Sequence, residues 1–434
     1  MKQSFIRQVS SVVAMTALIC AVTAPLKAEE RGVSLQEIID FARENNGELK
    51  SLREEAGIGE ASKIRASLSP NPVLDLEGTT GSLTGSESKN RLSIGVSQEF
   101  LIGGKREKRL AVAESELAGF GSRVKDAERL LLLAIKTEFH DLFLAEGRLD
   151  LAHKSQELNN KLLQITQKLL EAGDIAELDV NLVKVEVARD EGRILEAERE
   201  LVPARQRLLA LMGAAPLENL KIASPPEAQP FAMNLAELKS LALTCRPDLQ
   251  TATSEKSKGE AALVLAQAER LPNVTGGVAF SRDSEITSFP GVDERSTDYL
   301  IDLKLSVPIP FFDRNQAAIK EAQARKSSAT SRHLFVRQSV AREVEAAHAR
   351  VVTAGKSLSV YDKEIFPQLM KNLQLVQEAY RLGEVGILAM LEEQKKFAEV
   401  NDDYLVALHA RNTALAKLEA AVAVELSERD GGNK

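Results

Sequence analysis

The sequence predicts a mainly α-helical chain with a small β part, built by duplicating one unit of about 200 residues. Three observations carry this. Aromatic residues make up 4% of the 434 positions and Trp is absent, while Ala, Leu, Glu, Lys and Arg abound, a mixture that favours long helices packed by small and aliphatic side chains. Short motifs recur in the same order in both halves. Each half also contains a stretch of nearly 70 residues with almost no proline and an apolar pattern alternating 3 and 4.

The N-terminus has the layout of an export signal. Lys2 and Arg7 precede an apolar run from Val9 to Ala24, and cleavage after Ala28 starts the mature chain at Glu29. The run is short for a membrane anchor, and no later segment reaches 18 consecutive apolar residues. Cys20 raises lipidation as an alternative, against which stands the bulky Ile19 before it. Loss of residues 1–28 removes Lys2, Arg7 and Lys27 and no acid, so the formal net charge falls from −7 to −10, which does not point to nucleic acid as a partner. It also leaves Cys245 alone, with no internal disulfide possible.

The duplication is read from paired motifs. Ser34-Leu35-Gln36-Glu37-Ile38 returns as Asn234-Leu235-Ala236-Glu237-Leu238, and Pro70-Asn71 as Pro272-Asn273. Leu170 to Ile175 returns as Tyr380 to Val385, the offset growing from 200 to 210 as small loop insertions would make it. The repeats span 29–215 and 234–424. Between them lies a linker, 216–233, with Pro216, Pro225, Pro226 and Pro230, and a polar tail covers 425–434.

Each unit reads as helix, two strands, two very long helices. Residues 34–68 are expected to be helical until Pro70 and Pro72 stop them. Strand signals follow: Leu92, Ile94 and Val96 alternate with Ser93, Gly95 and Ser97, after a loop from Gly78 to Ser88. In the second unit Val274, Gly276, Val278 and Phe280 share one face. Tyr299, Ile301, Leu303, Leu305 and Val307 share another, opposite Asp302, Lys304 and Ser306. An apolar face against a small or polar one fits a membrane-barrel strand, and equally a half-buried one.

A helix from Lys105 to Ala172 would be about 100 Å long. Its counterpart runs from Arg314 to Leu382, interrupted by Pro367, with a seam at Val340, Val344, Ala347, Val351, Ala354, Leu358, Tyr361 and Ile365 that resumes at Leu369, Leu373, Val376 and Tyr380. The first-half seam is placed on Leu117, Val124, Leu131, Leu158, Leu162, Ile165 and Leu169. Both helices end at a glycine, Gly173 and Gly383. Returning helices carrying Val180, Val183, Val187 and Ile194, and Leu405, Leu408, Leu415 and Leu418, make two antiparallel coiled-coil hairpins.

Four strands cannot close a barrel, and an open edge cannot face lipid. Several copies are therefore needed, and three give twelve strands and twelve long helices: an outer-membrane β-barrel on a periplasmic α-helical barrel. The rival reading of another class is a periplasmic adaptor or structural coiled-coil protein, although an adaptor would show one hairpin flanked by compact β-domains. No nucleophile elbow, phosphate loop or zinc-protease pattern is present, so an enzyme is not expected. His140, His153, His333, His348 and His409 are scattered, and neither metal ligation nor a cofactor is expected.

Two junctions sharpen the picture. One is Gln98-Glu99-Phe100-Leu101-Ile102-Gly103-Gly104-Lys105-Arg106. The other is Val307-Pro308-Ile309-Pro310-Phe311-Phe312-Asp313-Arg314-Asn315-Gln316. Pro308 and Pro310 end a ladder because they cannot donate to it. Phe100, Phe311 and Phe312 suit a membrane boundary, and Asp313 with Gln316 suits a capping box. Across the mature chain these features resemble the TolC family of outer-membrane efflux proteins, and at the junctions its CzcC-like heavy-metal branch.

The resemblance implies a homotrimer in outer-membrane lipid, working with a periplasmic adaptor protein and an inner-membrane pump of the RND type, and conducting cations such as Co/Zn/Cd or Cu/Ag. A channel for drugs, organic solutes or secreted protein is the alternative. It implies adaptor docking at Gly173, Asp174, Ile175 and Leu178 and at Gly383, Glu384, Val385 and Leu388. It also implies an acidic pore ring six and nine positions after the second turn glycine. Here those positions hold Ala389 and Glu392, so one carboxylate is kept and a two-ring gate is in doubt. Asp179, six after Gly173, is the weaker constriction candidate.

Overall fold

The computed structural model describes residues 32–81, 83, 89–214, 220–223 and 234–426. The signal segment with Cys20, the prolines of the linker, most of the loop before Ser88 and most of the polar tail lie outside them.

The element order is the same twice. The first unit holds α1 (Leu35–Asn45), α2 (Gly47–Ser67), β1 (Val73–Thr80), β2 (Lys89–Phe100), α3 (Lys105–Ala172) and α4 (Glu177–Met212). The second holds α5 (Leu235–Cys245), α6 (Pro247–Ala268), β3 (Val274–Phe289), β4 (Val292–Ser306), α7 (Gln316–Val360), a π-helical turn (Tyr361–Ile365), α8 (Phe366–Arg381) and α9 (Ile387–Val422). At 68 residues α3 is about 100 Å long. It is the spine of the molecule, packing against α2, α4, α6 and α9, while α7 packs against α6 and α9.

Both units open on a capping box. Ser34 and Asn234 each accept the backbone N–H three residues on, and Glu37 and Glu237 each accept the cap's own N–H. The single helix expected over 34–68 is two helices. Asn46 is extended (φ −61°, ψ 120°), because its side chain accepts from Leu49 N and so restarts the chain as α2. The second unit breaks at the same place for another reason: Pro247 at the first helical position drives Arg246 to extended backbone.

The four strands form one antiparallel sheet in the order β1-β2-β3-β4, leaving β1 and β4 as edges. Where α1 and α5 meet the hairpins, two cores repeat each other. Ile38, Ala42, Ile135, Phe139 and Leu208 fill the first, and Leu238, Ala242, Val340, Val344 and Leu418 the second.

The hairpins hold a heptad seam with one displacement and one interruption. In α7 and α8 the buried or half-buried residues are those expected, from Val340 through Tyr380. In α3 the seam lies one residue over at two positions. Leu158 and Ile165 are exposed and their neighbours Asn159 and Thr166 are buried instead, while Leu162 is buried as expected. Polar groups can occupy that seam because they are bonded. Thr166 Oγ1 donates back to Leu162 O, and Asn159 donates to Asp190, which sits in a core position of α4 with no exposed surface. The interruption is the π turn. Pro367 offers no N–H to the turn before it, and Phe366 N reaches back five residues to Tyr361 O.

Candidate functional site

Three regions place the residues singled out in the sequence: the sheet, the two strand-to-helix junctions and the two hairpin turns.

Cross-strand registers give the sheet two unlike faces. Leu74, Val96, Val278 and Leu303 form one row, and Leu76, Ile94, Phe280 and Ile301 the next, all exposed. Leu92, Tyr299 and Leu305 extend this apolar face, so that from Tyr299 to Leu305 it covers about 20 Å along the strand. The opposite face is small or charged except at Leu300. Asp75, Gly95, Ala279 and Asp302 form one of its rows. There Arg91 Nη2 donates to Asp302 at 2.6 Å and to Ser281 at 3.2 Å, tying β2 to β3 and β4. A Cβ built on Gly95 would stand 2.6 Å from the Ala279 Cβ. Such crowding marks the inner side of a curled sheet, where only the smallest residues fit.

At the first junction Gly103 and Gly104 both take the left-handed conformation (φ 78° and 68°), which turns the chain from β2 into α3. Lys105 is buried, its ammonium donating to Leu271 O at 2.6 Å and to Asn273 Oδ1, so the first junction is anchored on the Pro-Asn motif of the second unit. Arg106 donates to Ser67 O at 2.7 Å, fixing the end of α2. At the second junction Pro308 and Pro310 follow the end of β4, and Phe311 and Phe312 are exposed, as is Phe100. The capping box expected there is not formed. Asn315 is the N-cap, in the left-handed conformation (φ 59°) that Gly104 adopts in the first unit. Asp313 accepts from Asn315 N, and Gln316 accepts from Arg314 N. Asn tolerates positive φ better than other residues with a Cβ, so the role of Asn315 was legible only from the pairing of the two junctions.

The hairpin turns are copies of each other. Gly173 (φ 80°) and Gly383 (φ 76°) are left-handed caps, and Asp174 N and Glu384 N reach back to Leu169 O and Ala379 O. The two turns share one cleft, lined among others by Asp174, Ile175, Asp179, Gly383, Glu384 and Val385. Leu178 and Leu388 are exposed beside it. Burial, and then the charge of Asp179, push the Tyr380 hydroxyl above its ordinary pKa. Glu392 does not join this cleft; it is exposed in the second turn of α9, with Ala389 half-buried before it.

The hairpins are also joined farther from the turns by a ladder between α3 and α9. Its rungs are Arg129 to Ala420 O (2.8 Å), Lys136–Glu419 (2.8 Å), Asp141–His409 and Arg148–Asp402 (2.8 Å). The heptad pattern gave no sign of it, since these charges lie on flanks that a single hairpin would leave to solvent.

Among the described residues no three His, Cys, Asp or Glu gather to hold a metal ion, and no helix is long and apolar enough to cross a membrane.

Comparison with known proteins agrees with this geometry. The family model described as "Outer membrane efflux protein" matches residues 39–214 and 238–424. The cobalt-zinc-cadmium resistance protein CzcC of Cupriavidus metallidurans is 23% identical over 375 residues, 86% of each chain. The nickel-cobalt-cadmium resistance protein NccC of Alcaligenes xylosoxydans xylosoxydans is 25% identical over 73% of this chain and 69% of its own. Among solved structures, CusC superposes with a TM-score of 0.72 at 19% identity, covering 89% of this chain and 91% of that one. The open state of Neisseria gonorrhoeae MtrE gives 0.72 at 20% identity, with 91% and 89% covered.

Proposed function

This chain belongs to the outer membrane efflux protein family, and from that premise we propose that it is the exit channel of a three-part efflux system, passively conducting heavy-metal cations. The observation that carries the channel is the sheet: one face exposed and apolar, the other small and charged, with both edges unpaired. Water has no reason to leave such an apolar face bare, and lipid has every reason to cover it. An open sheet cannot stay in lipid, so the edges close by pairing β1 of one copy with β4 of the next, three copies giving a 12-stranded barrel. The family match covers both units, and the adaptor or free-standing coiled-coil alternative accounts for neither the match nor the sheet.

The remaining parts follow from the same premise. Residues 1–28 are a cleaved signal, 29–215 and 234–424 are the two efflux repeats, 216–233 their linker and 425–434 a polar tail. Phe100, Phe311 and Phe312 sit at the lipid boundary, with the hairpins extending into the periplasm. The duplicated turns meet the adaptor, which in turn serves an inner-membrane RND pump. Glu392 supplies one carboxylate per chain to a constriction, an arrangement that favours cations.

Metal as cargo rests on the relatives, whose names are those of cobalt, zinc, cadmium and nickel resistance proteins. Deleting the gene and measuring growth inhibition by zinc, cobalt, cadmium, nickel, copper and silver salts, with drugs and detergents alongside, tests it. Sensitivity confined to metals and restored by the intact gene is expected. Sensitivity to drugs with unchanged metal tolerance would replace metal by organic cargo.

A further inference from the structure

The two strand-to-helix junctions repeat each other in backbone but not in the use of their cations. At the first, every cation is tied to the protein itself. Lys105 donates to Leu271 O and Asn273, Arg106 to Ser67 O and Lys108 to Gly103 O, and Arg109 pairs with Glu269 at 3.7 Å. Gly104 and Asn315 are equivalent N-caps, so Arg109 corresponds to Lys320. Lys320 has no such partner. Nor does Arg270, just past α6, or Arg314, just before α7: among the described residues none of these three side chains makes a hydrogen bond or an ion pair. The carboxylates beside them in the sequence are engaged elsewhere. Glu269 faces Arg109, Glu321 pairs with Arg325, and Asp313 accepts from Asn315 N.

The three free cations line one open groove of about 620 Å³, together with Phe311 and Phe312 and with no carboxylate. All five residues are exposed. The place of the groove defines what fills it. Exposed apolar side chains recur at every second residue of β4, at Tyr299, Ile301, Leu303 and Leu305, and the spacing continues past the strand through Val307 and Ile309 to Phe311. The groove therefore opens where the apolar face of the sheet ends and the charged helices begin.

Water satisfies bare cations, and lipid tails satisfy bare phenylalanines; a single ligand that satisfies both has an anionic head on an apolar body. A phosphodiester suits the head, because each guanidinium offers paired N–H donors that fit its oxygens. Three cations without an acid favour a head that is negative overall over a zwitterionic one, whose own ammonium the arginines would repel. We propose that this groove binds the headgroup of an anionic phospholipid, one per chain, with Arg270, Arg314 and Lys320 facing the phosphate and Phe311 and Phe312 facing the acyl chains. The site presupposes that the sheet lies in a membrane, as proposed from its apolar face.

The test is native mass spectrometry of the detergent-solubilised, full-length assembly titrated with dioleoylphosphatidylglycerol or with dioleoylphosphatidylcholine, which has the same chains and phosphate but a zwitterionic head. Phosphatidylglycerol should saturate at one lipid per chain, with phosphatidylcholine at least fivefold weaker, and excess inorganic phosphate should not displace it. Arg270→Gln and Arg314→Gln should each weaken phosphatidylglycerol at least fivefold. Arg325→Gln, at an exposed arginine of α7 outside the groove, should leave it unchanged. The subunit count, read in the same spectra, should be that of the unaltered protein in all three variants. Equal binding of the two lipids, undiminished binding in both groove variants, an equal loss in Arg325→Gln, or displacement by inorganic phosphate would overturn the site and leave the channel standing. Spectra of monomers alone would overturn the barrel, and the site with it.

Discussion

His140 is nearly buried on α3, its ring edge-on to Phe139 and its Nδ1 without a partner. Burial, helped by the charges of His409 and Lys136 and opposed by Asp141, pushes its pKa down to about 4 from the ordinary 6.5. The folded protein therefore keeps this ring neutral where the unfolded chain would protonate it. Between pH 6.5 and 4 the unfolded state binds more protons, so stability falls as pH falls through that window and is unaffected by this group above it. The component amounts to at most about 3 kcal/mol. Denaturant midpoints at pH 7 and 4.5 should differ less in His140→Leu than in the wild type; an equal difference would assign the acid sensitivity elsewhere. Gly95 gives a second expectation, on volume alone. A leucine there drives its Cβ into Ala279, whereas the same change at Gly78, with nothing within 4 Å, has room. Gly95→Leu should abolish heat-stable oligomers in membrane extracts and Gly78→Leu should keep them.

The hairpin turns, proposed above as the docking tip, depend on their backbone conformation. Both close on a glycine at φ near 80°, where a side chain costs about 1–2 kcal/mol. Gly173→Val and Gly383→Val should spare the assembly, since nothing lies within 4 Å of either Cβ position, yet shift the exposed Leu178 and Leu388. The expected phenotype is lost metal tolerance with normal amounts of protein in the outer membrane. Full tolerance in both variants would detach the turns from docking. These elements were legible because turn chemistry and heptad spacing are local: Gly173, Gly383 and the Val340-to-Tyr380 seam follow from residue type alone. Where two hairpins meet, local pattern no longer suffices. Leu158 and Ile165 look like seam residues and are not, because Asn159 and Thr166 find partners that make their burial tolerable. Asp190 was visible only as a gap in the run Val183, Val187, Ile194, and a gap does not say what fills it. Asp313 was misjudged as a cap for a related reason: the backbone at Asn315, two residues on, had already taken that place.

At the scale of the whole molecule, duplication and closure are the same problem. Each unit contributes a strand pair, and the antiparallel order β1-β2-β3-β4 leaves β1 and β4 running in opposite directions at the two edges. Copies arranged around an axis can therefore continue the ladder antiparallel, β4 to the next β1, with no reversal. The helices set up the same match, since α2 and α7 stand at the two ends of the row α2-α3-α6-α7 and carry exposed apolar residues, Ile58 and Ile64 on one and Leu334 and Phe335 on the other. Fewer than three copies give at most eight strands, a barrel filled by its own side chains, and three give twelve. A chain with Cys245 replaced by serine and one new cysteine in each edge strand, scanned along β1 against β4, should form disulfides between chains at matched positions. Oxidised membranes should then yield covalent dimers and trimers on denaturing gels, ending at three. A ladder continuing past three, or monomers at every pair in the scan, would show that the edges close in some other way and would remove the barrel on which the channel depends.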